Sequence, residues 1–415
     1  MSVRKRPWTN SKGEQKSAWI VDYVDAAGKR RHRTFKLKKA ADEFAATASV
    51  EVRQGTHVAD SASATISQAG KFWIASATAN GLERSTIDQY RQHVELHIAP
   101  LIGETLLSKF TLPAARAFED KLREAGRSPA MVKKVMVSLG SLLADAQERG
   151  LVGRNVVREK SRARQKGKDR RQERRQKGKL KVGVDIPTKA EVKAIVQAVE
   201  GRWRPLLLTA IFCGLRASEL RGLRWQDVDF QKKLIHVRQR ADRFNDIGRP
   251  KSEAGERSVP AGPTVIDALK EWRLAYSRPL IGKRDDGTEI REEARPTHLV
   301  FANGVGKVES LANIINRGLI PTQLRAGVTI ATDEKDQHGK PIVVAKYGGM
   351  HALRHFYASW CINARADGGM ELPPKVVQER LGHSSIIMTM DVYGHLFPRH
   401  DDGNELAEAE RALLS

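Results

Sequence analysis

A strongly basic run prevents this chain of 415 residues from folding around a single core. Residues 154–181 hold 14 Lys and Arg against 3 Asp and Glu, a net charge of +11, which is nearly half of the formal charge of +23. The run has few apolar residues and no periodicity, so it cannot join a packed core. Apolar residues on its two sides must be buried separately. We therefore expect a multidomain protein with a basic linker at 156–184.

The first 60 residues show the pattern of a small α+β domain. Residues 19–24 alternate between apolar and polar side chains, a turn follows at 25–28, and residues 29–35 form a second, basic segment. Small apolar residues at helical spacing come next. The pattern predicts a small sheet backed by a helix. Unless the hairpin is simply solvated, its basic residues are candidate contacts for a polyanion: Lys29, Arg30, Arg31 and Arg33.

Residues 64–155 are predicted to form a helical domain. Ser85, Thr111 and Ser128 stand where a side-chain oxygen can cap the start of a helix. Such a domain can bind a partner, and a helical bundle with a packing role only is the alternative. The predicted helices are amphipathic and separated by glycines, and they span 65–78, 85–98, 113–124 and 129–149.

Residues 185–400 are predicted to form a mixed, mainly α domain, followed by a tail at 401–415. Thr188 is a predicted helix cap. Polar segments at 284–295 and 332–342 are expected to be loop insertions. The whole chain is thus expected to be mostly α with small β-sheets.

The composition favours a nucleic-acid-binding protein and argues against a disulfide-rich or membrane-spanning one. Lys and Arg number 72 against 49 Asp and Glu, which favours a polyanionic partner, and nucleic acid is the default. Two cysteines, Cys213 and Cys361, exclude a disulfide framework and lie in apolar helical runs, as inert core thiols do. No run of 18 apolar residues is present, so we expect a soluble, intracellular protein without a membrane partner.

Two stretches of the mainly α domain concentrate polar residues at helical spacing. In Gly-Leu-Arg-Ala-Ser-Glu-Leu at 214–220, Arg216 and Glu219 are three apart and share a helix face. In His-Ala-Leu-Arg-His at 351–355, the same holds for His351 and Arg354. Arginines and imidazoles on one surface are typical of a site for an anion. The alternative for any one of these residues is a buried, hydrogen-bonded side chain in a helical bundle.

A metal site is not expected. His351 and His355 are four apart, the spacing of a helical zinc pair, but the zinc pattern has a Glu between the two His. Here Arg354 directly precedes His355, and its permanent positive charge opposes a dication.

The ordered set of polar residues resembles the tyrosine recombinase family, the phage-type integrases. The resemblance covers 185–400 closely and the N-terminal part in outline. It implies an arm-type DNA-binding domain at 1–60, a helical core-binding domain at 64–155 and a catalytic domain at 185–400. The matching positions lie in the local contexts G-L-R-x-S-E-L, H-A-L-R-H and L-G-H, with a hairpin lysine and a final tyrosine, and they are Arg216, Lys251, His351, Arg354, His383 and Tyr393.

The resemblance implies a DNA strand transfer without a cofactor. Tyr393 would attack a phosphodiester and form a 3′-phosphotyrosine that conserves the energy of the broken bond. Arg216 and Arg354 would clamp the non-bridging oxygens, so no metal is needed. Lys251, on a hairpin near its tip or on its returning strand, would protonate the leaving 5′ oxygen.

Three histidines and a glutamate complete the implied site. His351 is the candidate base or phosphate donor near the tyrosine hydroxyl, and His383 would hydrogen-bond the phosphate. Glu219 is similar to the family's acidic residue and would orient its neighbours. His355 is expected to pack against the site or cap it.

The implied partners are double-stranded DNA attachment sites and three further copies of the chain in a tetramer on DNA. Accessory DNA-bending or directionality proteins are further expected partners, in the cytoplasm of a bacterial host. The amphipathic segment 405–414 would dock on a neighbouring catalytic domain or fold back on its own. A DNA-binding regulator of the same fold without catalysis and a relaxing topoisomerase are the alternative functions.

Overall fold

A computed structural model describes most of the chain. The described residues are 1–9, 14–25, 28–55, 57–159, 179–275, 280–283, 285–291, 298–398 and 402–415. They form two compact units, Met1–Lys168 and Asp169–Ser415. Residues 160–178, most of the predicted linker, lie outside the described residues. The predicted linker and domain bounds therefore stay predictions.

The first unit begins with a three-stranded antiparallel sheet of order β1-β2-β3. The strands are β1 (Ser2–Thr9), β2 (Gln15–Val24) and β3 (Arg30–Phe35), and helix α1 (Lys38–Arg53) follows. Val21 and Tyr23 of β2 are buried with Ala41 of α1 in a small core. The predicted sheet and helix are present. Strand β1, which the sequence did not predict, completes the sheet.

The rest of the first unit is helical, around a core of its own. Thr111 and Ser128 cap α5 and α6, as predicted, and each accepts a hydrogen bond from a backbone N–H. The prediction for Ser85 is wrong, because α3 begins one residue earlier and its cap is Glu83. The helices are α2 (Ile66–Ala79), α3 (Arg84–His93), a π-helical turn (Val94–Ile98), α4 (Ala99–Ile102), α5 (Leu112–Glu124) and α6 (Pro129–Glu148).

The second unit is mainly helical. Helix α7 begins after Thr188, whose side chain and that of Glu191 form the reciprocal hydrogen bonds of a capping box, so this predicted cap is confirmed. Its helices are α7 (Lys189–Ala198), α8 (Trp203–Cys213), α9 (Ala217–Gly222), α10 (Pro263–Ala275), α11 (Leu311–Asn313), a π-helical turn (Ile314–Leu319), α12 (Ile320–Arg325), α13 (His351–Ile362), α14 (Pro374–Leu381), α15 (Ile386–Tyr393) and α16 (Asp402–Leu414).

One core of the second unit extends from Ile186 to Tyr393. Cys213 and Cys361 are buried free thiols within it, as predicted. Helix α8 is buried on almost every side, in agreement with the mostly apolar sequence that follows its first turn. Among the described residues, no helix is both long enough and apolar enough to span a membrane.

Small antiparallel sheets flank these helices. The central one has the order β4-β5-β8, and the others are hairpins. The strands are β4 (Val228–Asp229), β5 (Leu234–Val237), β6 (Arg240–Ala241), β7 (Ile247–Gly248), β8 (Arg257–Pro260), β9 (Leu280–Lys283), β10 (Glu289–Arg291), β11 (Thr329–Lys335) and β12 (Pro341–Ala345).

Both segments expected to be loops contain strand residues. The segment 332–342 lies in the β11–β12 hairpin, because a tight turn between Asp336 and Lys340, with Gly339 at φ 75°, brings the two strands into register. In 284–295, residues 289–291 form β10, while 284 and 292–295 lie outside the described residues.

Candidate active site

Two arginines from different helices are held by backbone carbonyls in the second unit. The Arg354 guanidinium, on the first turn of α13, donates to the carbonyl of Gly214 at 2.6 Å and to that of Leu381. Arg216, the residue before α9, donates to the carbonyl of Gly382 at 3.1 Å. These carbonyls belong to the ends of α8 and α14, which carry the negative pole of a helix dipole. The helix ends thus fix both cations in place.

The two glycines at these helix ends are required by the backbone conformation and by the lack of space for a side chain. Gly214 and Gly382 have φ of 61° and 62°, the left-handed region that ends helices. A Cβ on Gly214 would lie 2.2 Å from the ring of Tyr357, and one on Gly382 would lie 2.8 Å from a nitrogen of Arg257. No larger residue fits either position without moving the carbonyls that hold the arginines.

Arg354 remains a cation despite its burial. Only 3% of the residue is exposed. Burial, together with the positive charge of Arg216, lowers its pKa to about 9, which still leaves it charged at neutral pH. A buried cation of this kind binds an anion strongly, because water does not screen the interaction.

Glu219 lies beneath the arginines as a buried carboxylate. Its two oxygens accept hydrogen bonds from the side chain and the backbone N–H of Arg216, each at 2.8 Å, and from both terminal nitrogens of Arg257. Burial opposes its ionisation, but the charges of Arg257, Arg354 and Arg216 outweigh that effect and lower the pKa of Glu219 to about 2. Glu219 is therefore a permanent anion that orients its neighbours, and it is unsuited to be a base.

Arg257 is the residue of this site that sequence reasoning missed. It is the first residue of β8, and its side chain is 6% exposed. A signal was available, because Arg257 stands two residues before Val259, which is fully buried, so strand alternation puts both on the inner face of the sheet. A charged residue at such a position needs a buried partner.

Tyr393 ends α15 and is 2% exposed. Its hydroxyl lies 2.7 Å from Nδ1 of His355. Burial raises the pKa of Tyr393 to about 12, while Arg354 and Arg216 act in the opposite direction. The hydroxyl is thus protonated and within reach of a neutral imidazole. The imidazole expected there from the sequence was that of His351, and the structure places His355 there instead.

His351 lies beside this pair, at the start of α13. Its ring centroid is 5.1 Å from that of His355, and the two rings make an edge-to-face contact. Partial burial of the ring, then the charges of Arg354 and Arg216, lower the pKa of His351. The residue is exposed, so its ring is accessible to a bound anion.

His383 also lies near Tyr393. The two rings are parallel, with centroids 6.4 Å apart. Nδ1 of His383 lies 2.9 Å from the hydroxyl of Thr389, which leaves Nε2 to face another group. Burial and the nearby arginines, Arg354 first, lower the pKa of His383 to about 4. A neutral imidazole with Nδ1 occupied can donate one hydrogen bond from Nε2.

Lys251 is an exposed residue in the loop between β7 and β8, six positions before the returning strand begins. Of the two places considered for it, the returning strand is therefore excluded. Of the residues predicted from the sequence, the structure brings seven together around the two arginines, and Arg257 joins them: Arg216, Glu219, His351, Arg354, His355, His383 and Tyr393.

In the part of the chain that the structure describes, no group of three or more His, Cys, Asp and Glu side chains is placed to hold a metal ion. The pair His351 and His355 lies next to Arg354, whose charge lowers the pKa of both imidazoles.

The N-terminal sheet divides its basic residues between two faces. Arg31 and Arg33 pair with Tyr23 and Val21, on the face that α1 covers. Arg31 donates to Asp25 at 2.8 Å, and the Arg33 guanidinium lies 4.8 Å from the ring centroid of Phe44. Both side chains are thus engaged within the domain.

The opposite face of this sheet carries exposed basic residues. Arg30 pairs with Val24 and lies on that face, as do two residues of β1, Arg6 and Trp8. Lys29 is exposed at the turn before β3. Strand β1 therefore supplies candidate contacts that sequence reasoning missed, because the strand itself was not predicted.

Comparison with known proteins places these features in a family. Residues 187–400, just over half of the chain, match the sequence profile of the Phage integrase family. The chain belongs to this family, the tyrosine recombinases. The chain is 30% identical over 228 residues to a XerC-like tyrosine recombinase of Caldanaerobacter subterraneus, a match that covers 50% of each chain. It is 28% identical over 214 residues to the prophage integrase IntR of Escherichia coli, covering 50% of this chain and 46% of that one.

The chain thus spans about half the length of these curated relatives.

Solved structures extend the likeness at the level of the fold. The Tn1549 transposon integrase in complex with a circular intermediate DNA aligns with a TM-score of 0.58 at 18% identity, over 84% of this chain and 99% of that one. A lambda integrase dimer bound to a core site aligns with a TM-score of 0.51 at 16% identity, over 96% and 95%. The multidomain, mostly α fold with small antiparallel sheets is that of an integrase.

Proposed function

We propose that this recombinase is a site-specific integrase that cuts and rejoins DNA through a 3′-phosphotyrosine at Tyr393. The observation that carries the proposal is the contact between the Tyr393 hydroxyl and a neutral imidazole, beside two arginines held by helix ends. The arrangement combines a nucleophile, a proton acceptor and a cation pair for a phosphate in one buried site.

In the first step, a DNA phosphodiester binds to Arg216 and Arg354. The extra negative charge of the transition state lies on the non-bridging oxygens, where fixed guanidinium groups stabilise it most. His383 donates to the same phosphate from Nε2, and the exposed ring of His351 is placed to donate as well. Because these groups are already fixed, no reorganisation is needed when the charge develops.

In the second step, the Tyr393 oxygen bonds to phosphorus and the bond to the 5′ oxygen breaks. The tyrosine proton passes to Nδ1 of His355, in the tautomer with its other proton on Nε2. Burial and the charge of His351 lower the pKa of His355, and the charge of Arg354 adds to them; a bound phosphodiester compensates the Arg354 charge, so substrate makes this imidazole a better base. Lys251 supplies a proton to the leaving oxygen.

Covalent capture tests the proposal. The protein is incubated with a nicked suicide substrate carrying its attachment site, without metal or ATP, and a protease-sensitive adduct is expected. Tyr393→Phe abolishes the adduct. Tyr347→Phe is the matched control, because that tyrosine is equally buried in the same unit but donates to Glu191, and the adduct is expected to persist.

Two results would contradict the proposal. An adduct that persists in Tyr393→Phe would assign the attack to another residue. Tight binding to the attachment site without any adduct would instead favour a DNA-binding regulator of the same fold.

The biological substrate follows as a further part of the proposal. Relatives include a prophage integrase and the transposase of transposon Tn916, and a lambda integrase tetramer is bound to a Holliday junction in its solved structure. We infer that four copies of this chain recombine two attachment sites of a phage or other mobile element. A requirement for two cognate sites distinguishes this reaction from DNA relaxation.

A further inference from the structure

Arg257 is a buried cation that the proposed reaction does not use. Its side chain makes four hydrogen bonds within the protein: to both oxygens of Glu219, to the carbonyl of Gly255 and to the carbonyl of Arg380. A guanidinium has five N–H donors, so little remains for a phosphate. Its effect on DNA must therefore act through other residues.

Two connections lead from Arg257 to the anion site. The first passes through Glu219, whose Oε1 accepts from both Arg257 and Arg216. The second passes through the end of α14, where Arg257 bonds to the carbonyl of Arg380 and packs against Gly382. The carbonyl of Gly382 accepts from Arg216. Both routes end at the guanidinium of Arg216.

The charge balance explains what the Arg257 side chain contributes. Glu219 is buried and faces three cations, Arg257, Arg354 and Arg216, of which Arg257 has the strongest effect. Without Arg257, the remaining partners of the carboxylate would be the two arginines that clamp the phosphate. A buried, unpaired carboxylate either draws such cations towards itself or takes up a proton. Either change weakens the clamp.

We propose that Arg257 is a positioning residue: by neutralising Glu219 and bracing the end of α14, it keeps Arg216 and Arg354 directed at the scissile phosphate. This inference rests on the proposed function. It also links the loop of Lys251 to the arginines, because that loop leads directly into β8, which begins with Arg257.

The test measures single-turnover cleavage of the suicide substrate at saturating DNA. Arg257→Met is expected to lower the rate about 100-fold, the effect of a small displacement in a catalytic site. Arg257→Lys is expected to lower it roughly tenfold, because one ammonium cannot replace a guanidinium fork. DNA affinity and melting temperature are recorded for each variant to show that it is folded and bound.

The double variant Arg257→Met with Glu219→Gln separates positioning from a merely structural role. Each single change leaves one buried charge without its partner, whereas the double change removes both charges. The double variant is therefore expected to cleave at least roughly tenfold faster than Arg257→Met alone. A loss caused by poor packing alone would not be relieved in this way.

Arg224→Met is the matched control. Arg224 forms a comparable two-bond pair with the buried Asp227 in the same unit. It is expected to lose thermal stability while its cleavage rate at saturating DNA stays that of the wild type.

Three results are decisive. Wild-type cleavage by Arg257→Met, or a loss that the double variant does not relieve, would overturn the positioning role while the proposed function stands. No adduct from the wild-type protein would overturn both.

Discussion

The hydroxyl of Tyr393 and Nδ1 of His355 are 2.7 Å apart, and both groups are neutral in the free protein. Burial, followed by the charges of His351 and Arg354, lowers the pKa of His355 to about 4. At the scale of single residues, the site thus holds imidazoles that resist protonation in the free protein.

This resistance predicts how stability depends on pH. Between pH 6.5, the ordinary pKa of an imidazole, and about pH 4, the unfolded chain binds a proton at His355 that the folded chain does not bind. The free energy of unfolding therefore falls as pH is lowered through this window. Glu219 contributes in a lower window, from its ordinary pKa of 4.5 down to about 2, because its folded pKa is depressed and stability is lost as it protonates.

His355→Asn should reduce the loss of stability between about pH 7 and about pH 5 by about 1 to 2 kcal/mol, measured by urea unfolding at both pH values. His338→Asn, at an exposed turn, is the control and should leave the loss unchanged. An equal loss in the His355 variant and in the wild type would contradict the shifted pKa.

At the scale of elements, the strand register of the N-terminal sheet separates two classes of basic residue. Arg6 and Arg30 lie on the exposed face, whereas Arg31 and Arg33 lie on the face that packs against α1. We therefore expect the first class, rather than the second, to bind DNA phosphates.

Salt dependence can test this division. Arg6→Ala and Arg30→Ala should each lower the slope of log affinity against log salt by about 0.9 for the full chain on DNA. Arg31→Ala and Arg33→Ala should leave the slope unchanged and lower the melting temperature, because they remove contacts with Asp25 and Phe44. Equal slope changes in both classes would contradict the assignment of faces.

Periodicity and capping residues predicted most helices of the first unit and the cap at Thr188 in the second, since those signals are local. Strand β1 escaped prediction because its residues are almost all exposed, with a proline among them, and alternation is visible only where one face is buried. The hairpin at 329–345 escaped for the same reason.

Motifs in the sequence predicted which side chains would gather around Tyr393, but not which imidazole would contact its hydroxyl. His351 and His355 lie one helical turn apart, and only the packing of α15 against α13 decides between them. The acceptors of Arg354 could not be predicted either, because they are backbone carbonyls of Gly214 and Leu381, and any residue type has a carbonyl.

At the scale of the whole molecule, helix α16 exposes its leucines. Leu406, Leu413 and Leu414 are 63%, 85% and 84% exposed, so the helix does not bury them within its own unit. Of the two sequence-based hypotheses for this tail, docking on a neighbouring copy agrees better with this exposure.

Deleting residues 403–415 should leave cleavage of a single suicide site unchanged and weaken the assembly of two-site complexes at least roughly tenfold, since one buried leucine contributes about 1.5 to 3 kcal/mol. Native gel electrophoresis with paired sites measures the assembly. Leu413→Glu is a milder variant with an intact tail and should have the same direction of effect. Unchanged assembly in both would exclude docking between copies.

The two backbone carbonyls that hold Arg354 also determine when, during translation, the site can form. One acceptor, Gly214, leaves the ribosome 140 residues before Arg354, and the other, Leu381, leaves it 27 residues afterwards. The basic N-terminal regions are thus made long before both carbonyls can bind Arg354. Tyr393 follows only 12 residues after Leu381. We expect a nascent or prematurely terminated chain to bind the host chromosome without being able to break it.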